Sequence, residues 1–205
     1  MGSKVQDYEA SWEPDIAKRI LSEAAAADKD SGRPYMVALV GIPGSGKSIS
    51  TFLLANTLEE AGISVMICPH DGYHYPLEQL KQFPNPDDMI YRRGAPDTFD
   101  PQALHRDLER IRHGNDDSMI IMVPGFDHAK GDPEPDSHVF DRSKHNVVIC
   151  EGLVSTPQAQ KVNYIVNLVV ISKYVFLTIV SVILRYLSTS FMTRMVGMRL
   201  RAYLI

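Results

Sequence analysis

The sequence predicts an α/β domain in three layers, a parallel sheet between two sets of helices, and three observations carry that expectation. The first is a strand, a glycine-rich loop and a helix in immediate succession. Tyr35-Met36-Val37-Ala38-Leu39-Val40 is a continuous apolar run, a loop with three glycines follows, and residues 51–61 read as a helix with Gly62 just beyond it. The second is that further short apolar runs, at 63–68, 119–124 and 146–152, are separated by helical or polar stretches and end in polar residues. The third is length: 205 residues can bury one sizeable core and leave little room for a second.

The loop is Gly41-Ile42-Pro43-Gly44-Ser45-Gly46-Lys47-Ser48, which satisfies the phosphate-binding pattern G-x-x-x-x-G-K-[ST] at every fixed position. Glycines let the backbone turn inward, so that successive N–H groups and the next helix's N-terminus face one anionic phosphate. Residues 41–48, with Ile49 beyond them, are therefore expected to hold a nucleotide. Lys47 is expected to reach the β- and γ-phosphates and Ser48 to hold Mg²⁺. The fold expectation narrows to a P-loop NTPase.

Taken in order, residues 11–28 read as a helix capped by Ser11, with Ile16, Ile20, Leu21 and Ala24 at helical spacing. The second apolar run ends at Pro69-His70-Asp71-Gly72-Tyr73-His74. Ligands of open parallel sheets sit beyond the carboxyl ends of the strands, so Asp71 is expected near the phosphates, as a base for a substrate hydroxyl or part of a magnesium shell. Residues 77–83 suggest a short helix, followed by a loop through Arg92-Arg93, a pair suited to phosphate or carboxylate recognition or to a solvated turn. Asp100-Pro101 opens a helix that carries Leu104, Leu108 and Ile111 inward and stops at Gly114. The run at 119–124 leads into Gly125-Phe126-Asp127-His128, and the proline- and acid-rich stretch 129–141 reads as a loop. His128 and His138 lack metal-ligand spacing. The last run ends in Glu151, where a strand-end carboxylate can complete a magnesium shell.

Composition excludes other classes. All 25 acidic residues fall within 1–151, whereas 152–205 hold six basic residues and no acidic one. So acidic a main body argues against a nucleic-acid groove. Cys68 and Cys150 close apolar runs, as reduced core thiols of a cytoplasmic protein do. No apolar leader opens the chain, and Gln6 breaks a myristoylation pattern.

Five ordered stretches, GIPGSGKS, HDGYHYPLEQL, YRRGAPDTFDP, VPGFDHAKGDPEPDSHVF and VVICEGL, resemble the uridine kinase, phosphoribulokinase and pantothenate kinase group, in particular a fungal branch of ATP-dependent kinases. The resemblance covers about residues 13–153. It implies a nucleoside-kinase-like fold and Mg²⁺- and ATP-dependent phosphorylation of a hydroxyl on a small metabolite. Asp71 would be the base, Lys47 a catalytic cation, and Ser48 and Glu151 the metal ligands. Tyr73, His74, Arg93, Phe126, Asp127 and His128 would lie toward the acceptor. An ATP-hydrolysing regulator without an acceptor is the alternative.

After Leu153 the resemblance stops, and no arginine-bearing lid is recognisable, so the fold is expected to be truncated or replaced there. Residues 1–153 are read as the kinase domain and 154–205 as an atypical tail. A membrane span over 165–184 has the right length but would place Lys173 at mid-bilayer, which costs about 3 kcal/mol. The loss of acidic residues, with Val154-Ser155 at the boundary, suggests translated intron or a shifted frame. The acceptor and oligomeric state are left open.

Overall fold

The computed structural model describes residues 13–26, 33–41, 44–114, 119–152, 167–170 and 203–204. Its main sheet is parallel throughout, built from β1 (Tyr35–Val40), β2 (Val65–Pro69), β5 (Val147–Gly152), β6 (Asn167–Val170) and β7 (Tyr203–Leu204), in the order β2-β5-β1-β6-β7. A two-stranded antiparallel sheet, β3 (Ile120–Asp127) with β4 (Asp132–Asp141), stands apart from it.

Side-chain alternation along β1 explains the layers, because successive residues of a strand point to opposite faces. Val37 and Leu39 join a cluster with Ile16, Ala17 and Ile20 of α1 (Glu13–Ala26) and Leu54, Ala55 and Leu58 of α2 (Lys47–Glu60). Met36, Ala38 and Val40 join one on the other face with Leu104, Leu108 and Ile111 of α5 (Pro101–His113) and with Ile121, Val123 and Phe140. The second helical layer is thus completed by the β3–β4 hairpin, whose inner residues do the work of a helix.

Asp100 accepts from the backbone N–H groups of Gln102 at 3.0 Å and Ala103 at 2.9 Å, Pro101 follows it, and Gly114 closes α5 in the left-handed region at φ 60°. These are the cap, first-turn and stop residues expected. Two short helices, α3 (Leu77–Leu80) and α4 (Pro86–Tyr91), link the site to α5.

Four expectations change. α2 begins at Lys47, four residues ahead of the expected start, because the loop itself turns into the helix. Part of the expected loop before Asp100 is α4, with Pro86 at its N-terminus. Residues 132–141, read as a loop for their polarity, form a strand: one residue, Phe140, is buried and anchors it, while Pro133 and Pro135 are tolerated on an edge strand. Asn167–Val170 extend beside β1, which is not the helix a span over 165–184 would need. Among the described residues no helix is long and apolar enough to cross a membrane. The remainder of that span, and the residues at the 154–155 boundary, lie outside the described residues.

Asp100→Ala removes both cap bonds of α5 and is expected to cost about 1 kcal/mol in urea unfolding, with Asp100→Asn retaining most of the stability; equal midpoints for Asp100→Ala and wild type would show that the cap contributes nothing.

Candidate active site

Three neighbouring strand ends build the site. β5 lies between β1 and β2, and its Glu151 is in register with Leu39 on one side and Pro69 on the other. Gly41 N–H donates to the carbonyl of Gly152 at 3.4 Å, tying the start of the glycine loop to the end of β5. Beyond Pro69 the chain makes a 3₁₀ turn, His70–Tyr73, which presents Asp71 to solvent. Parallel pairing therefore brings together groups separated by a hundred residues of sequence.

In the loop, Gly44 and Gly46 adopt φ of 76° and 82°, the left-handed region that favours glycine. A side chain at Gly41 would collide with Ser45 Oγ and Lys47. Gly46 is the N-cap of α2 and offers no side chain, so the first N–H groups of the helix have no side-chain acceptor. Ser45 Oγ is buried without a hydrogen-bond partner. An orphaned hydroxyl and uncapped helix N–H groups are what an incoming phosphate would satisfy. Ile42 and Pro43 lie outside the described residues.

Ser48 Oγ donates to Glu151 Oε1 at 3.3 Å. Burial raises the Glu151 carboxyl above its ordinary value; Lys47, Ser48 and His128 pull it down, and Asp71 pushes it further up. Lys47, Asp71 and His128 therefore all act on Glu151 electrostatically. The donor set fits Mg²⁺: one hydroxyl and one carboxylate oxygen, both hard, at a place where the carboxylate lacks sufficient positive charge. Ser48 and Glu151 would hold the ion. Asp71 is exposed and its carboxylate makes no hydrogen bond or ion pair among the described residues. Its backbone carbonyl accepts from His74, through the backbone N–H at 3.2 Å and in contact with Nδ1 at 2.8 Å.

The residues expected toward the acceptor separate into two groups. His74, Phe126 and His128 form a row of rings, with His74 and Phe126 centroids 5.3 Å apart and Phe126 and His128 5.2 Å apart. Burial lowers the His74 imidazole below its usual value. Tyr73, by contrast, is buried in the core and its hydroxyl donates to Asp107 of α5 at 3.0 Å. Asp127 caps the β3–β4 turn, accepting from the N–H groups of Ala129 and Lys130 and pairing with the Lys130 ammonium at 2.8 Å. Arg93 is 14% exposed and engaged through both terminal nitrogens: it pairs with Asp132 at 2.6 Å, donates to the carbonyls of Tyr75 and Gly131, and lies 5.7 Å from the Phe126 ring centre. Asp132 also accepts from Leu77 N–H at 3.0 Å. Tyr73, Arg93 and Asp127 thus hold the walls of the site together.

Three residues of this neighbourhood escaped the sequence reading. Phe99 is clasped between His70 and His74, at 4.3 and 3.9 Å between ring centres. His70 packs on Gly152, where a Cβ would collide with it, and its burial lowers the imidazole to about 4. Asp132 lay in the stretch read as loop. The YRRGAPDTFD stretch contains Phe99, but nothing in it signals a partner 25 residues upstream.

No family model matches the chain. A provisionally named uridine kinase of Schizosaccharomyces pombe is 38% identical over 119 residues, 57% of this chain and 49% of that protein. An ATP-dependent kinase-like protein of Aspergillus versicolor is 43% identical over 84 residues, 40% of this chain and 48% of that protein. A provisionally named fructose transport system kinase from Silicibacter sp. TM1040 superposes with a TM-score of 0.64 at 26% identity, over 76% of this chain and 73% of its own. The chain's homologues are P-loop kinases. Its fold is the α/β fold of that group. The chain spans about half the length of these two sequence relatives.

The raised Glu151 carboxyl has a pH signature. A folded value above the unfolded one means that the folded protein holds the proton more tightly, so the stability from that proton is full below the usual 4.5 and is lost as pH rises through the shifted value. Glu151→Gln removes this titration and keeps an acceptor for Ser48. Without Mg²⁺, its thermal midpoint is expected to match wild type near pH 4, to exceed it as pH rises through the shifted value and to hold a constant lead above it; parallel profiles from pH 4 to pH 8 would show that Glu151 carries no folded-state penalty.

Proposed function

We propose that the protein is an ATP-dependent kinase that phosphorylates a hydroxyl on a small metabolite, using cytoplasmic ATP and Mg²⁺, with the site carried by residues 1–153. The observation that supports this most is the convergence of Lys47, Ser48, Glu151 and Asp71 at the ends of three adjacent parallel strands. The glycine loop and the N-terminus of α2 hold the phosphates. Lys47 neutralises charge as it develops on the transferring phosphoryl group. Ser48 and Glu151 would hold Mg²⁺, which would supply positive charge to offset that of the phosphates. Asp71, exposed beside Glu151, takes the proton of the attacking hydroxyl. The ring row of His74, Phe126 and His128 forms an acceptor wall, and Arg93 and Asp127 fix the hairpin that carries it. Relatives named uridine kinase and pantothenate kinase support a small hydroxylated metabolite as the acceptor and select none.

Lys47→Ala is expected to abolish ATP binding in calorimetry. Asp71→Asn is expected to keep ATP affinity near wild type and to lower phosphoryl transfer by about 10²- to 10⁴-fold, the acceptor first being found by a thermal-shift screen of metabolites with a non-hydrolysable ATP analogue. ATP turnover that needs no acceptor, is lost in Lys47→Ala and persists in Asp71→Asn would sink the metabolite-kinase reading and favour the ATP-hydrolysing regulator.

A further inference from the structure

α2 buries one face and exposes the other. Ser50, Thr51, Leu54, Ala55 and Leu58 face the sheet. On the opposite side, Ile49 is 41% exposed and Phe52 52% exposed. Three residues apart on a helix, they are surface neighbours. The apolar exposure is confined to the first two turns: farther along the same side the residues are Asn56, Glu59 and Glu60, the ordinary polar outer face of a surface helix. A phenyl ring left half in water within two turns of a phosphate loop has no packing reason among the described residues.

From Lys47 to Phe52 the helix rises about 7.5 Å. A nucleoside is covalently tied to the phosphates that the loop would hold, so its base has to land within one nucleoside length of them. Among the exposed large apolar residues that are described, Ile49 and Phe52 stand on the helix that begins in that loop, whereas Tyr91, Met119, Ile120, Met122 and Val139 stand elsewhere.

We propose that Phe52, flanked by Ile49, is the stacking platform for the purine base of the bound nucleoside triphosphate. The proposal rests on the nucleotide-site reading of the glycine loop. Phe52 supplies a flat apolar face and Ile49 the aliphatic edge that keeps water from it. Neither offers a hydrogen-bond donor or acceptor, so the platform grips a base by its π-face and does not distinguish adenine from guanine.

The test uses the full chain, Mg²⁺ and calorimetric titration with two ligands, ATP and inorganic tripolyphosphate, which has the phosphates and lacks the base. Phe52→Ala is expected to weaken ATP about tenfold or more, with tripolyphosphate affinity and thermal midpoint unchanged, and Phe52→Trp is expected to restore ATP affinity. Phe52→Ala with wild-type ATP affinity overturns the proposal, as does equal loss of both ligands. If wild type binds tripolyphosphate and ATP equally well, the base has no platform and the proposal fails while the phosphate site stands. If wild type binds neither ligand, the nucleotide reading fails and the proposal with it.

Discussion

The insertion of β5 between β1 and β2 is the constraint on which the rest depends. A parallel ladder fixes register residue by residue, and a slip of one would turn every side chain to the other face. The register found puts Glu151 beside Leu39 and Pro69, two residues short of the loop's Gly41 on one side and two short of Asp71 on the other. Val147, Val148 and Ile149 are fully buried, so the strand is held by both faces of the core at once. Gly152 then lies under His70, too close for any side chain. Packing behind the site, not within it, sets the distance between its carboxylates and the glycine loop.

The β3–β4 hairpin shows how a polar segment becomes part of such a site. Ile121, Val123 and Phe140 point inward into the core, while most of β4 faces water. Polar ties at its turn add to that packing. Arg93 joins the carbonyls of Tyr75 and Gly131 to the Asp132 carboxylate, and Asp132 reaches back to Leu77 N–H. The pair is largely withdrawn from water, where charge-assisted bonds are strong and breaking one partner away is costly. Gly72 allows the closest approach, since a Cβ there would collide with the Pro124 carbonyl. The segment that presents Asp71 and the hairpin that presents Phe126 are therefore one unit.

Local rules were legible and distant pairings were not. Asp100, Pro101 and Gly114 bound α5 as their capping chemistry dictates, and β1 occupies the whole apolar run ahead of the glycine loop. Those signals lie within a few residues of what they determine. The partner of Arg93 is 39 residues away, in a stretch whose prolines and acids read as loop, and the Tyr73 hydroxyl finds Asp107 34 residues on. An arginine that binds a ligand and one that pins two loops have the same sequence signature. Only tertiary placement separates them: Arg93 and Tyr73 are engaged with Asp132 and Asp107, while the rings of His74, Phe126 and His128 stand in one row.

Glu151 ties these features to chemistry. Burial makes its ionised form expensive, and Lys47, Ser48 and His128 offset only part of that cost, since the carboxyl stays above its ordinary value. Asp71 adds a second negative charge nearby. A site that only had to be stable would not place two carboxylates beside each other with so little compensation. A divalent cation held by Ser48 and Glu151 would supply the missing positive charge and lower the Glu151 carboxyl. By linkage, whatever binds that arrangement tightly also stabilises the fold around it.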